Sequence, residues 1–260
     1  RGIEAAHGEY LSFIDSDDYI HPDFISTLYS ICQENTCEMA QCMFTRVSID
    51  ENNIIHDKKK NVHTYSGQEM CYNFYYGIPD HLADAVIWSK LYQRKLFSEI
   101  RFPVGKIHED TATAHQLYYI SNKIGITNQS LYFYRTVPTS ITGCGFTLKS
   151  LDNLEFLEER VEYFKEKGEI KLHALWDVCY VRSSSYYLRN VKAKYPEQID
   201  LQKKLKQKIK TRLINVLKNP HTPFIEKLLL LTALNIPRTT TFIGKITQLK
   251  NLRKIIFLKN

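Results

Sequence analysis

Nine residues near the start constrain this chain most. Tyr10-Leu11-Ser12-Phe13-Ile14 is a short apolar run bounded by Gly8 on one side and the acidic cluster Asp15-Ser16-Asp17-Asp18 on the other. An apolar run of that length between turn-forming residues reads as a buried strand. His21-Pro22-Asp23 then opens a helix, with proline at or near the first helical position, and Phe24, Ile25, Leu28, Tyr29, Ile31 and Cys32 form its apolar face. The predicted order is strand, acidic loop, helix. Open α/β sheets keep their ligand crevice at this carboxyl end of the strands.

Three carboxylates in four residues repel one another unless a cation or solvent neutralises them. Alternate carboxylates on an extended loop offer hard oxygens to Mg²⁺ or Mn²⁺, ions that commonly share such ligands with substrate phosphates. The same cluster also suits a solvated turn with Asx capping. A calcium EF-hand starting at Asp15 fails, because Ile20 and Ser26 stand where that loop needs Gly and Glu. The Asp-nucleophile phosphatase pattern breaks at Asp18-Tyr19-Ile20. A second acid pair, Glu109-Asp110, opens a predicted helix through Asn122. Either those acids simply suit the positive end of the helix, or one of them acts as a general base.

Elsewhere the periods are equally local. Residues 38–48 alternate, with Ala40, Cys42 and Phe44 on one face, and Asp50-Glu51-Asn52-Asn53 turns the chain into Ile54-Ile55, so a hairpin is expected. Ser66-Gly67-Gln68-Glu69 is a capping box that starts a helix to about Tyr76. Ala85 to Tyr92 reads as a strand, as does the aromatic run Leu131-Tyr132-Phe133-Tyr134. From about Leu148 the pattern is helical throughout. Leu151, Leu154, Leu157, Val161 and Phe164 keep helical spacing up to a capping Gly168, and further helices are expected over 172–192, 197–218, 223–235 and 239–258. The predicted division is 1–147, mixed α/β, and 148–260, helical.

The run Gly2-Ile3 to Ala6, Gly8 through Asp18 and Pro22-Asp23 resembles the central motif of family 2 glycosyltransferases. Further matches follow in the family's order: Trp88-Ser89-Lys90-Leu91-Tyr92 with Arg101-Phe102-Pro103, then Glu109-Asp110, then Leu131-Tyr132-Phe133-Tyr134-Arg135 with Ser140-Ile141-Thr142. The resemblance implies an α/β fold of the GT-A type and an inverting, metal-dependent transferase. Its donor would be a nucleotide-diphosphosugar and its acceptor a surface polysaccharide or lipid-linked glycan. It further implies Asp17 as the direct ligand of a divalent cation (Mn²⁺ or Mg²⁺), Asp15 at the donor ribose or the metal, and Asp110 as catalytic base with Glu109 beside it. Trp88, Lys90 and Arg135 are implied at the donor. Each also has a plainer reading, Trp88 as a core ring and Lys90 as a solvent-facing strand residue. Family members carry additional sequence ahead of this run, including the first strand and base pocket, and the chain opens on Arg1, so its start is expected upstream. The rival expectation is a truncated, non-catalytic glycan-binding or scaffold remnant.

Charge is unevenly placed. The formal net charge is +7. Leu201 to Asn260 holds eleven Lys and three Arg against Glu226 alone, which is +13 and leaves −6 for residues 1–200. Lys203, Lys204, Lys206, Lys208, Lys210 and Arg212 share a helix with an apolar stripe of Leu201, Leu205, Ile209, Leu213 and Leu217, and Ile243 to Ile256 repeats the pattern. Such helices either lie on anionic membrane surfaces or pack on the protein with lysines outward. Nucleic acid is not expected, since aromatic interleaving is missing here. With 43% hydrophobic residues the chain is a globular protein, and its six cysteines form no Cys-x-x-Cys pair. A cytoplasmic protein, peripheral at the inner face of the cell membrane, is the expectation.

Overall fold

The computed structural model describes residues 1–48, 61–76, 85–136 and 145–235. They fall into two compact units: Arg1–Val104 with Glu109–Gly145, and Gly105–His108 with Phe146–Asn260. In the first, chain order is α1 (Gly2–Ala5), β1 (Tyr10–Leu11), β2 (Tyr19–Ile20), α2 (Phe24–Asn35), β3 (Met39–Val47), β4 (Val62–Tyr65), α3 (Gly67–Tyr76), β5 (Lys90–Gln93), α4 (Glu109–Ile120) and β6 (Ile124–Arg135). The sheet runs β1-β5-β3-β6-β2, with β4 also on β6. Among the described residues only β3 and β6 pair in parallel.

β3 and β6 sit at the centre, and their sequences show it. Met39, Ala40, Gln41 and Cys42 are all buried, so the expected alternation gives way to burial on both faces, as a central parallel strand requires. The helix α2 buries Phe24, Leu28, Ile31 and Cys32 against this sheet, a narrower stripe than expected, since Ile25 and Tyr29 are 45% and 44% exposed. Each fully buried Phe, Leu or Ile contributes about 1.5–3 kcal/mol. The return strand at Ile54-Ile55, its turn at 50–53 and the Ser140-Ile141-Thr142 motif lie outside the described residues.

Two strands are shorter than expected, for identifiable reasons. β1 ends at Leu11 because Ser12 Oγ donates to the Lys90 carbonyl (2.8 Å) and Phe13 turns into a ring cluster with Tyr92, Phe97 and Phe102, leaving Ile14 46% exposed. β5 begins only at Lys90, because the buried Ser89 has φ 59° and breaks the extended run from Ala85. The aromatic strand, by contrast, is twelve residues long. Its first half pairs with β4 and its second with β2, so β6 leads directly to the acidic loop.

The capping box is as expected: the Glu69 amide donates to Ser66 Oγ (3.2 Å) and the Ser66 amide to Glu69 Oε2 (2.7 Å). Gly67 is required there by contact, since a Cβ would stand 2.1 Å from the Tyr118 carbonyl and 2.3 Å from that of Ser121.

The second unit contains α5 (Asp152–Glu166), α6 (Ile170–Lys194), α7 (Ile199–Lys218) and α8 (Phe224–Asn235). Gly168, at φ 71°, lies just past the end of α5. α6 is the axis on which α5, α7 and α8 all pack. The apolar stripe of α7 faces inward: Leu205 is buried, and Ile209 and Leu213 pack with Val178, Val181, Val216 and Leu230. Arg212 donates to Asp177 (2.6 Å) and Glu158 (3.1 Å) and lies 4.6 Å from the Tyr180 ring centroid, while Lys208 pairs with Glu158 (2.8 Å). Of the two expectations for this helix, packing on the protein holds, and its apolar stripe is not a membrane face. The expected helix 239–258 lies outside the described residues.

Candidate active site

The acidic loop joins the end of β1 to β2, and β6 holds it. The Asp18 amide donates to the Asp15 carbonyl (3.1 Å), closing a turn around Ser16 and Asp17. The Tyr132 hydroxyl accepts from the Asp15 amide (3.1 Å) and donates to Asp18 Oδ2 (2.7 Å), and the Arg135 amide donates to Asp18 Oδ1 (2.8 Å). Both ends of the loop are therefore pinned to one strand. Asp18 is a brace, with both carboxylate oxygens engaged. Burial of its carboxyl raises its pKa, and the Arg135 amide and Tyr132 hydroxyl oppose that. Burial likewise pushes the Tyr132 phenol up.

Asp15 and Asp17 carry no side-chain hydrogen bond among the described residues. Burial, followed by repulsion from Asp18, Asp17, Glu109 and Asp110, pushes the Asp15 carboxyl up to about 6. Asp15 as a residue stays exposed to water, so like-charge crowding is the part of this effect that a bound cation would relieve. Glu109 and Asp110, ninety-odd positions away in sequence, are thus near enough for their charge to reach Asp15. Glu109 is exposed; Asp110 is half-buried, and its Oδ1 accepts from the Thr111 amide (2.6 Å), which fixes the side chain's direction at the head of α4.

The remaining candidates take different places. Arg135, at the end of β6, lies with its guanidinium carbon 5.7 Å from the Tyr19 ring centroid, and its buried Nε has no hydrogen-bond partner among the described residues. Trp88 is a core ring, 8% exposed, stacked on Tyr132 (4.6 Å) and Tyr134 (5.4 Å) and edge-on to Phe44 (4.9 Å). Lys90 is buried, not solvent-facing, and its ammonium donates to the Val86 carbonyl. Trp88 and Lys90 therefore back the site from within the protein rather than line it. Sequence reasoning missed Tyr132 as the loop's anchor; its one signal was the alternation that puts Tyr132 and Tyr134 on the same face of β6.

Among the described residues no group of three or more His, Cys, Asp or Glu is arranged to hold a metal ion by itself. The donor set is nonetheless of the right kind. Two unengaged, mutually repelling carboxylates supply hard oxygens, and Mg²⁺ or Mn²⁺ completes such sets with water and phosphate.

The family model for glycosyl transferase family 2 matches residues 1–105. The chain is 30% identical over 193 residues to glycosyltransferase GlyG of Streptococcus pneumoniae serotype 4, covering 70% of this chain and 60% of that protein. It is 31% identical over 147 residues to glycosyltransferase GlyA of the same organism, covering 54% of this chain and 21% of that one. The chain thus spans less than two thirds of the length of either relative. Among solved structures, residues 1–349 of TarS from S. aureus superpose with a TM-score of 0.50 at 14% identity, covering 96% of this chain and 65% of that one, a likeness of fold. Acid loop, strand order and comparisons agree: the fold is of the GT-A type, and residues 1–105 belong to glycosyl transferase family 2.

Proposed function

We propose that the full-length protein is an inverting glycosyltransferase, moving a sugar from a nucleotide-diphosphosugar to a hydroxyl of a surface polysaccharide or lipid-linked glycan at the cytoplasmic side of the membrane. The observation that supports this most is that two acid sets distant in sequence, Asp15 with Asp17 and Glu109 with Asp110, come close enough for the second to add its repulsion to the burial that raises the Asp15 carboxyl.

The residues divide by role. Asp17 and Asp15 would hold a divalent cation, and Asp18 and Tyr132 keep that loop in place. Bound there, the cation supplies positive charge for the departing diphosphate. Arg135, whose buried Nε has no hydrogen-bond partner among the described residues, is suited to a donor phosphate oxygen. Asp110 accepts the acceptor's hydroxyl proton as that oxygen bonds to the anomeric carbon and the bond to the diphosphate breaks on the opposite face, which inverts the centre. Glu109 adds negative charge beside it and favours the partial positive charge of the sugar ring.

Calorimetric titration of the full-length protein with uridine-, guanosine- and thymidine-diphosphate sugars tests the loop assignment. One of these donors should bind in the presence of Mn²⁺, and Asp17→Ala should abolish the Mn²⁺-dependent part. Equal affinity in wild type and Asp17→Ala would remove Asp17 from the site.

A further inference from the structure

The helix α8 packs on α6 through Leu230, with Leu234 beside it, and Ala233 and Glu226 are buried. Its outer face carries Phe224, Ile225, Leu228 and Leu231, respectively 80%, 39%, 46% and 37% exposed. At about 100° per residue these four fall within an arc of roughly 120°. Helices of water-soluble proteins keep polar side chains on the outer face. Here, among the described residues, the outer face carries an apolar stripe instead.

We propose that this stripe seats the protein on an anionic lipid bilayer, with α8 lying in the plane of the headgroups. Charge selects that occupant. The one acid of the last sixty residues, Glu226, is buried, so the described part of that stretch, 201–235, presents only basic side-chain charge at its surface. Lys204, Lys206 and Lys210 of α7 are exposed and carry no ion pair among the described residues. Residues 236–260, directly after α8, contain six Lys and Arg and no acid. A second copy of the chain meeting the stripe through its own α8 would bring the same positive charge, and so would the chain's own C-terminal segment. An anionic bilayer satisfies both features, taking the apolar side chains about 5–10 Å into the headgroup boundary and the lysines at its phosphates. Among the described residues no helix is long and apolar enough to cross a membrane, so α8 would lie on the bilayer rather than span it.

The test is co-sedimentation of the full chain, without sugar donor, with vesicles of phosphatidylcholine alone or mixed with phosphatidylglycerol. Because no donor is present, failure here leaves the transfer reading standing. The chain should bind the mixed vesicles, bind the neutral ones at least tenfold more weakly, and lose tenfold or more of the former when Phe224, Leu228 and Leu231 are all changed to Ser. These side chains are exposed, so the thermal melt should stay put. A second readout follows Leu228→Trp: brominated lipid should quench its added fluorescence. Unchanged binding by the triple variant would overturn the proposal. So would an indole at position 228 already shielded and unresponsive to lipid, which would mean the chain's own segment covers the stripe. Loss of a dimer in the triple variant, with no vesicle binding by wild type, would assign the stripe to a second copy instead.

Discussion

Tyr132→Phe removes a single oxygen that ties the acidic loop to β6 at two points. The hydroxyl donates to Asp18 Oδ2 at 2.7 Å and accepts from the Asp15 amide at 3.1 Å, while the ring stays stacked on Trp88 at 4.6 Å. No cavity forms, so the loss is one of hydrogen bonding. A bond to a charged partner is worth about 1.5–3 kcal/mol, and the partly solvated loop lets water replace some of it, leaving roughly 1–2 kcal/mol. For a protein of this size that lowers the melting temperature by about 2–8 °C. If the loop binds donor only when pinned, donor affinity should fall by about five- to thirtyfold, since 1.4 kcal/mol is tenfold. Differential scanning calorimetry and donor titration on wild type, Tyr132→Phe, Asp18→Asn and the double variant measure both effects. Direct contact predicts a coupling of about 0.5–3 kcal/mol between the two changes. Additivity within about 0.3–0.5 kcal/mol would refute the idea that Tyr132 works through Asp18.

Three further outcomes are expected. Asp15 titrates at about 6 in the fold against an ordinary 3.8, so its folded form holds the proton more tightly, and its contribution to stability is greatest below pH 3.8 and falls as pH rises through 6. The displacement of about two pH units corresponds to at most about 3 kcal/mol, and solvent exposure discounts it to roughly 1; urea unfolding should show Asp15→Asn stabilising the metal-free protein at pH 7.5 and neutral at pH 4. Gly67→Ala, with a Cβ forced to 2.1 Å from the Tyr118 carbonyl, should cost about 1–3 kcal/mol by the same assay, and no loss would mean that α3 and α4 do not meet there. Arg212→Ala strands Asp177, whose side chain is 9% exposed, and should destabilise the helical unit by about 3–5 kcal/mol, a loss that 1 M salt should not abolish in the way it would for a surface pair.

What could be read from the sequence was what short spacing encodes. The box at Ser66 and Glu69, the start of α4 at Glu109 and the helical spacing from Leu154 to Phe164 all depend on neighbours within one or two turns, and all appear in place. The acidic loop could be recognised, but its mooring could not. Tyr132 lies 114 positions from Asp18, and no local pattern says which hydroxyl will reach which carboxylate. Ser89 illustrates the same gap for the backbone, where packing on Cys42 through its carbonyl (3.0 Å) holds a left-handed residue inside what reads as a continuous strand. Lys90 looked like a surface residue because lysine usually is one; only the fold reveals that Val86 offers its ammonium a carbonyl. Periodicity drew attention to the apolar stripe of the lysine-rich α7, which proves to face the core, and passed over α8, where leucines lie all around the helix and sequence cannot say which of them a neighbour covers.

The central claim is that Asp110 is the base at a donor site built by the Asp15–Asp18 loop, and it is tested most directly by separating binding from transfer in the full-length protein. With whichever nucleotide-diphosphosugar the titrations identify, Asp110→Asn should bind donor within about twofold of wild type while sugar transfer in single turnover falls by about 10²–10⁴. Near-normal transfer by Asp110→Asn would contradict the account.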